Sequence, residues 1–161
     1  MQIIYEPMNK FDTELPTQPN IGKRFLAGFI DYSIIFVFLF TYVFVFGEPS
    51  DEGGYEVNGW PALVPILFWA IVTVGIEVGT GATLGNSIAG LKAIPKNGTI
   101  RNLTFGESLK RHLLDPIDLF FFGLVAIVTI NNTDKNQRLG DIWANTIVVR
   151  KELLSQSIDH H

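Results

Sequence analysis

The sequence has no cysteine. A disulfide scaffold, a thiolate zinc site and a thiol nucleophile are therefore excluded. Histidine is scarce too: His112, His160 and His161 are all there is, and the last two close the chain. These terminal histidines are compatible with the stub of a purification tag and carry no expected function. Charge is also thin. Charged residues make up 17% of the 161-residue chain, against about 25% in a typical soluble domain. The formal net charge is -4 and no run of Lys or Arg stands out, so nucleic-acid binding has no electrostatic footing. No nucleic-acid partner, cofactor or metal is expected.

The missing charge is missing in two places. Residues 25–46 hold one charged side chain, Asp31, and residues 60–78 also hold one, Glu77. A soluble helix cannot stay apolar for so long without exposing a greasy face to water. The first run is about 33 Å of helix at about 1.5 Å per residue, enough to cross about 30 Å of hydrocarbon. The composition thus points to an integral membrane protein whose first partner is the lipid bilayer. The chain is one small domain and too short to enclose a pore or a two-repeat transporter by itself. Any transport role needs a homo-oligomer or a partner membrane protein.

Residues 1–22 are polar and contain Pro7, Pro16 and Pro19. They lack the layout of a cleavable signal peptide and read as a cytoplasmic arm. A membrane domain follows over 23–151, with spans at about 25–46 and 60–78, a third segment at about 113–130, and a tail at 152–161. The loop 47–61 has Glu48, Asp51, Glu52 and Glu56 but no Lys or Arg. Lys10, Lys23 and Arg24 lie before the first span, and Lys92, Lys96, Arg101, Lys110 and Arg111 follow the second. The positive-inside rule then places the N-terminus in the cytoplasm and the acidic loop outside, in what would be a bacterial inner membrane. Trp60 stands where an interfacial aromatic belongs.

The third segment is interrupted by Asp115, Pro116 and Asp118, and its clean part, Leu119–Ile130, is short for a crossing. A full crossing would also put Lys135, Arg138, Arg150 and Lys151 outside. The expected fold is an all-α integral membrane protein with two transmembrane helices plus a third short membrane helix or re-entrant hairpin. Three full spans is the alternative. A small cytoplasmic β-hairpin is expected where Leu91–Ile94 and Thr99–Ile100 flank Asn97-Gly98, a strong two-residue turn signal. Thr146–Val149 is a further strand candidate that could pair with it. Thr104 and Glu107 have capping-box spacing and predict a helix over 105–114, with Lys110 and Arg111 on its polar side.

With the spans placed, three segments resemble the RDD family of small bacterial membrane proteins, named for one Arg and two Asp. The first is Arg24-Phe-Leu-Ala27-Gly-Phe-Ile-Asp31. The second is Thr83-Leu84-Gly85-Asn86 running into Gly90-Leu91-Lys92-Ala93. The third is Arg138-Leu-Gly-Asp141-Ile-Trp-Ala-Asn145-Thr146-Ile-Val-Val149. The resemblance covers roughly residues 17–151. It makes Arg24, Asp31 and Asp141 the family residues. This chain has Asn86 where a basic residue commonly follows the Thr-x-Gly, and Gly140 where a His often precedes the final Asp. The resemblance implies a fold and a membrane location, and little chemistry.

Candidate chemistry rests on the few charges near apolar runs. Arg24 and Asp31 share a helix face, with Ala27 and Gly28 between them, but lie about 10 Å apart along the axis. Each therefore needs another partner. An isolated carboxylate at such depth costs several kcal/mol, so it neutralises or finds a donor. Asp31, Asp118 and Glu77 are the candidate ion or proton site. Arg24, Arg111, Arg138 and Asp141 are candidate partners in a structural latch. Asp115-Pro116-Ile117-Asp118 reads as a helix start with Asp115 as N-cap. Glu77 reads as an interfacial carboxylate if it is not functional, and His112 as a solvated helix residue. Gly75-x-x-x-Gly79 suits close helix packing. No triad, P-loop or dinucleotide fingerprint is present, so the chain is not expected to be an enzyme. Two functions remain: a proton or monovalent-cation transport component acting as an oligomer, and a non-catalytic scaffold or accessory subunit.

Overall fold

The computed structural model describes residues 17–51 and 53–159, with backbone only for 156–159. Most of the N-terminal arm with Lys10, together with Glu52, His160 and His161, lies outside the described residues. Asn20 turns into the left-handed region (φ 47°) and the first helix, α1 (Ile21–Phe46), begins directly after it. Only Ala27 and Asp31 of α1 are buried. Its exposed face is a series of Phe, Leu and Val side chains, among them Phe29, Val37, Phe40 and Phe44.

Gly47 ends α1, and a two-stranded ribbon, β1 (Glu48–Pro49) with β2 (Tyr55–Glu56), occupies the acidic loop. The second long helix runs continuously from Trp60 to Thr80. It comprises a 3-10 turn at Trp60–Ala62, α2 (Leu63–Ala70), a π-helical turn at Ile71–Gly75, and α3 (Ile76–Thr80). In the π turn Thr73 Oγ1 donates to the Trp69 carbonyl at 2.8 Å, competing locally with the helical ladder. Phe38 of α1 stacks on Phe68 of α2 with ring centroids 3.7 Å apart, and Tyr42 donates to the Pro61 carbonyl. These contacts pair the two long helices.

Thr83 caps a short helix, α4 (Leu84–Ile88), by accepting from the Asn86 N–H. Gly85 lies flat against α1, where a Cβ would run into the Ala27 carbonyl. The close approach suggested by the small residues of α1 is therefore made by α4. Gly28 and Gly79 face nothing within reach of a Cβ, so neither is used for close packing among the described residues.

Strand β3 (Leu91–Pro95) follows, then α5 (Phe105–Leu113), α6 (Asp115–Asp118) and α7 (Phe120–Asn131). Thr104 and Glu107 form the capping box that starts α5. The axis bends by 116° between the α5–α6 segment and α7. Near this break Phe121, Phe122 and Gly123 take left-handed φ values of 49°, 58° and 82°. Two helices are thus long and apolar enough to cross a bilayer, or three if the bent pair is one broken span.

The chain closes with α8 (Leu139–Ala144), β4 (Thr146–Arg150) and α9 (Lys151–Asp159). Here the expected local hairpin is corrected. The Asn97-Gly98 turn exists, with Gly98 at φ 79° and its N–H on the Pro95 carbonyl at 3.0 Å. Thr99 and Ile100, however, are exposed and outside any strand. Strand β3 instead pairs antiparallel with β4, from Leu91↔Arg150 to Pro95↔Thr146. Burial explains the choice. Leu91, Ala93 and Val148 join Ala27 of α1 and Leu103 in one apolar cluster. Ile94, Ile147 and Val149 form a second cluster with Leu154 of α9. A two-stranded sheet buried on both faces needs consecutive apolar side chains at its centre, which Ile147, Val148 and Val149 supply and Thr99-Ile100 does not.

Candidate functional site

The charged residues meet where the start of α1, the end of the second long helix, α5, α6 and α8 converge. Helix α5 sets the arrangement. Ser108, Arg111, His112 and Asp115 recur at helical spacing and all are buried, whereas Phe105, Lys110 and Leu113 face outward. The helix is amphipathic with its polar stripe inside, so Arg111 and His112 are not on a solvated face.

Arg111 is the central cation. Its Nη1 donates to Glu77 Oε1 at 2.7 Å, and its Nε lies 3.0 Å from Asp141 Oδ1. Ser108 Oγ donates to the other Glu77 oxygen at 2.6 Å. Glu77 is fully buried, because α5 covers it with Ser108 and Arg111. His112 lies between two carboxylates, with Nδ1 2.8 Å from Asp115 Oδ2 and Nε2 3.4 Å from Glu77 Oε2. The Nδ1 contact is a hydrogen bond, whereas the Nε2 contact is an ion-pair approach that needs the protonated ring.

Asp115 does not cap a helix. It accepts from the Tyr32 hydroxyl at 2.8 Å and forms an ion pair with Arg138 Nη1 at 2.8 Å, and so joins α1, α6 and the start of α8. The capping role falls to Asp118, whose two oxygens accept from the Leu139 and Gly140 N–H groups at 3.1 and 3.0 Å. That satisfies orphan donors at the N-terminus of α8. Gly140 is required for this approach, since a Cβ there would collide with the Arg111 backbone carbonyl.

Arg24 closes the network. Its Nη1 donates to Asp141 Oδ2 at 3.0 Å and its Nη2 to the Asn136 carbonyl at 2.8 Å. Asp141 thus touches Arg24 and Arg111, with Arg138 Nε at 3.6 Å. Burial works to raise the Asp141 carboxyl, yet the three guanidiniums hold it well below the usual carboxylate range. Burial works to lower Arg138, but Asp115, Asp141 and Asp118 keep it firmly charged.

A family model described as "RDD family" matches residues 18–145. The chain belongs to the RDD family. No curated protein and no solved structure matches it. In this RDD chain the first Arg and the last Asp, Arg24 and Asp141, are in direct contact. The remaining family residue, Asp31, stands apart from them. It accepts from the Gly85 N–H at 2.7 Å, and among the described residues no Lys, Arg or His nitrogen lies within ion-pair distance of it.

Asp31 lines a cavity of about 800 Å³ that lies between α1 and α7 and reaches Trp69 and Thr73 of the second long helix. Arg24, Arg111, His112, Asp115, Asp118 and Arg138 form its polar floor. Glu77 is not among the lining residues. Reading the sequence missed Tyr32, Ser108, His112 and Asp115 as members of the network. The signal was present in the 108, 111, 112 and 115 spacing, which is a polar helix face in a chain with few polar helix faces. Among the described residues no cluster of His, Asp and Glu is arranged to hold a metal ion.

Proposed function

We propose that this RDD protein is a membrane transport component for protons or monovalent cations, acting as a homo-oligomer or with a partner membrane protein. One observation carries the reading. Asp31 is a buried carboxylate on an apolar helix that lines a cavity and has only neutral hydrogen-bond donors against it. A carboxylate already committed to Arg cannot take up and release a cation without breaking an ion pair. Asp31 can exchange a proton for a cation without doing so. The two or three candidate spans of one chain are too few to enclose a path, so oligomerisation completes it. No enzymatic activity, cofactor or nucleic-acid partner is part of the proposal.

The test is flux in liposomes. Purified wild type is expected to couple a pH gradient to monovalent-cation movement, and Asp31→Asn to reduce that flux to background. The Asn side chain still accepts from Gly85, so folding and assembly should survive. Correctly folded, oligomeric wild type without flux would overturn the transport reading.

A second reading has its own support. The Arg24–Asp141–Arg111–Glu77 chain of ion pairs ties α1, α8, α5 and α3 together. That arrangement suits a non-catalytic scaffold or accessory subunit in which the charges serve as a latch.

We place the protein in the bacterial inner membrane with its N-terminus in the cytoplasm, on the strength of the basic flanks and the acidic loop 47–61. The 116° bend before α7 suits a segment that dips into the bilayer and returns. A single cysteine at position 135 should then be labelled from the cytoplasmic side only. Labelling from outside would establish three full crossings. The absence of native Cys leaves this experiment without background.

A further inference from the structure

The cavity between α1 and α7 has a wall that proton or inorganic-cation binding does not require. On α1, Phe25, Phe29, Tyr32 and Phe36 recur at spacings of four, three and four, which makes one ridge, and all four line the cavity. Trp69 and Phe122 face the same space. Its volume of about 800 Å³ falls within the range of about 300–1,000 Å³ typical of sites for drug-sized ligands.

The buried charge network as a whole, the floor together with Glu77 and Asp141 behind it, is short of positive charge. Asp31, Glu77, Asp115, Asp118 and Asp141 are set against Arg24, Arg111, Arg138 and the His112 ring. Even with His112 protonated, the five carboxylates outnumber the cations by one. The carboxylate left over is Asp31, since the other four are each within ion-pair distance of an Arg. Aromatic faces attract a desolvated cation within about 6 Å of the ring. A buried carboxylate without a counterion attracts it further.

We propose that this cavity is a binding site for a lipophilic organic cation, its charge seated on Asp31 and its hydrophobic groups on the α1 aromatic ridge, Trp69 and Phe122. The inference deepens the transport reading, because it rests on Asp31 as the cation-binding carboxylate, and it names a substrate class. An anionic headgroup is disfavoured, since each guanidinium is already engaged by a carboxylate. An uncharged acyl chain would use the walls and leave Asp31 without a counterion.

Tetraphenylphosphonium and tetraphenylborate have nearly the same shape and opposite charge. Each is titrated separately into the purified full chain in a neutral detergent by calorimetry, with the heat of the empty micelles subtracted. The phosphonium is expected to bind saturably and the borate not to bind. Asp31→Asn should weaken the phosphonium at least tenfold. If Asp31→Asn fails to fold, Phe29→Leu/Phe36→Leu, which alters two exposed side chains of the ridge, should weaken it several-fold. Equal binding of both ions would show an apolar slot for lipid chains and overturn the proposal. So would absent phosphonium binding, or phosphonium binding unchanged in these variants. Inorganic-cation flux is measured without either ion. Flux with no phosphonium binding refutes this inference alone, and phosphonium binding with no flux refutes the transport reading alone.

Discussion

Replacing Arg111 with Met is expected to destabilise the protein by roughly 3–5 kcal/mol, the usual cost of removing one partner from a buried ion pair. Met fills much of the volume of the Arg stem, so the loss is electrostatic more than steric. The stranded group is Glu77. Asp141 retains Arg24 at 3.0 Å and Arg138 at 3.6 Å, but Glu77 is left with the Ser108 hydroxyl and the His112 ring. The prediction therefore has a built-in control. Arg111→Met/Glu77→Gln removes the stranded charge and should recover a substantial part of the loss. Thermal unfolding in a mild detergent, followed by circular dichroism, reads both variants. Equal instability of the single and the double variant would mean that Arg111 acts through packing alone.

The same residues show what a sequence can reveal here. The apolar runs 25–46 and 60–78 correspond closely to helices Ile21–Phe46 and Trp60–Thr80, because long apolar periodicity is a local signal. The capping box of Thr104 and Glu107 is equally local and equally legible. That Arg24 and Asp141 belong to one latch could be anticipated from the rule that each charge near an apolar run needs a partner, but their direct contact joins residues 117 apart in sequence, which no local signal specifies. The spacing of 108, 111, 112 and 115 marks a polar face, but local rules alone do not say that this face turns inward. In water a Lys-Arg-His run marks the solvated side of a helix. In a chain whose neighbours are themselves apolar on the outside, the polar stripe turns toward the few carboxylates available, and Phe105 and Leu113 face outward. Asp115 was misread for a related reason. Its Asp-Pro-x-Asp context is a good helix start, but Tyr32 and Arg138, from segments distant in sequence, and His112 one turn before it outbid the local cap. The Asn97-Gly98 turn fixed the direction of the chain and not the partner of β3, which burial on both faces assigned to β4.

Asp141→Ala should be more damaging than Arg24→Ala, and the difference follows from how many partners each loses. Arg24 has Asp141 and the Asn136 carbonyl, lies at the edge of the network, and its side chain is 11% exposed. Without it, Asp141 still has Arg111 and Arg138. Removing Asp141 instead takes the shared counterion from three guanidiniums, and takes the acceptor from the Arg138 N–H that begins α8. The expected cost is roughly 3–5 kcal/mol for Asp141→Ala and about half that for Arg24→Ala. The double variant should be little worse than Asp141→Ala alone, because the contact that Arg24 contributes is already gone. The resulting coupling energy of about 1–3 kcal/mol is what residues in direct contact within one network show. Acid titration gives an independent check on the same carboxylate. Its folded-state pKa is depressed, so its contribution is fully present above the ordinary carboxylate range and is lost only as pH falls well below that range. Wild type should therefore lose stability at strongly acid pH, and Asp141→Ala should lack that component. Strictly additive free energies for Arg24→Ala and Asp141→Ala would show that the two family residues touch without supporting each other, and the latch would then have to be carried by Arg111 and Glu77 alone.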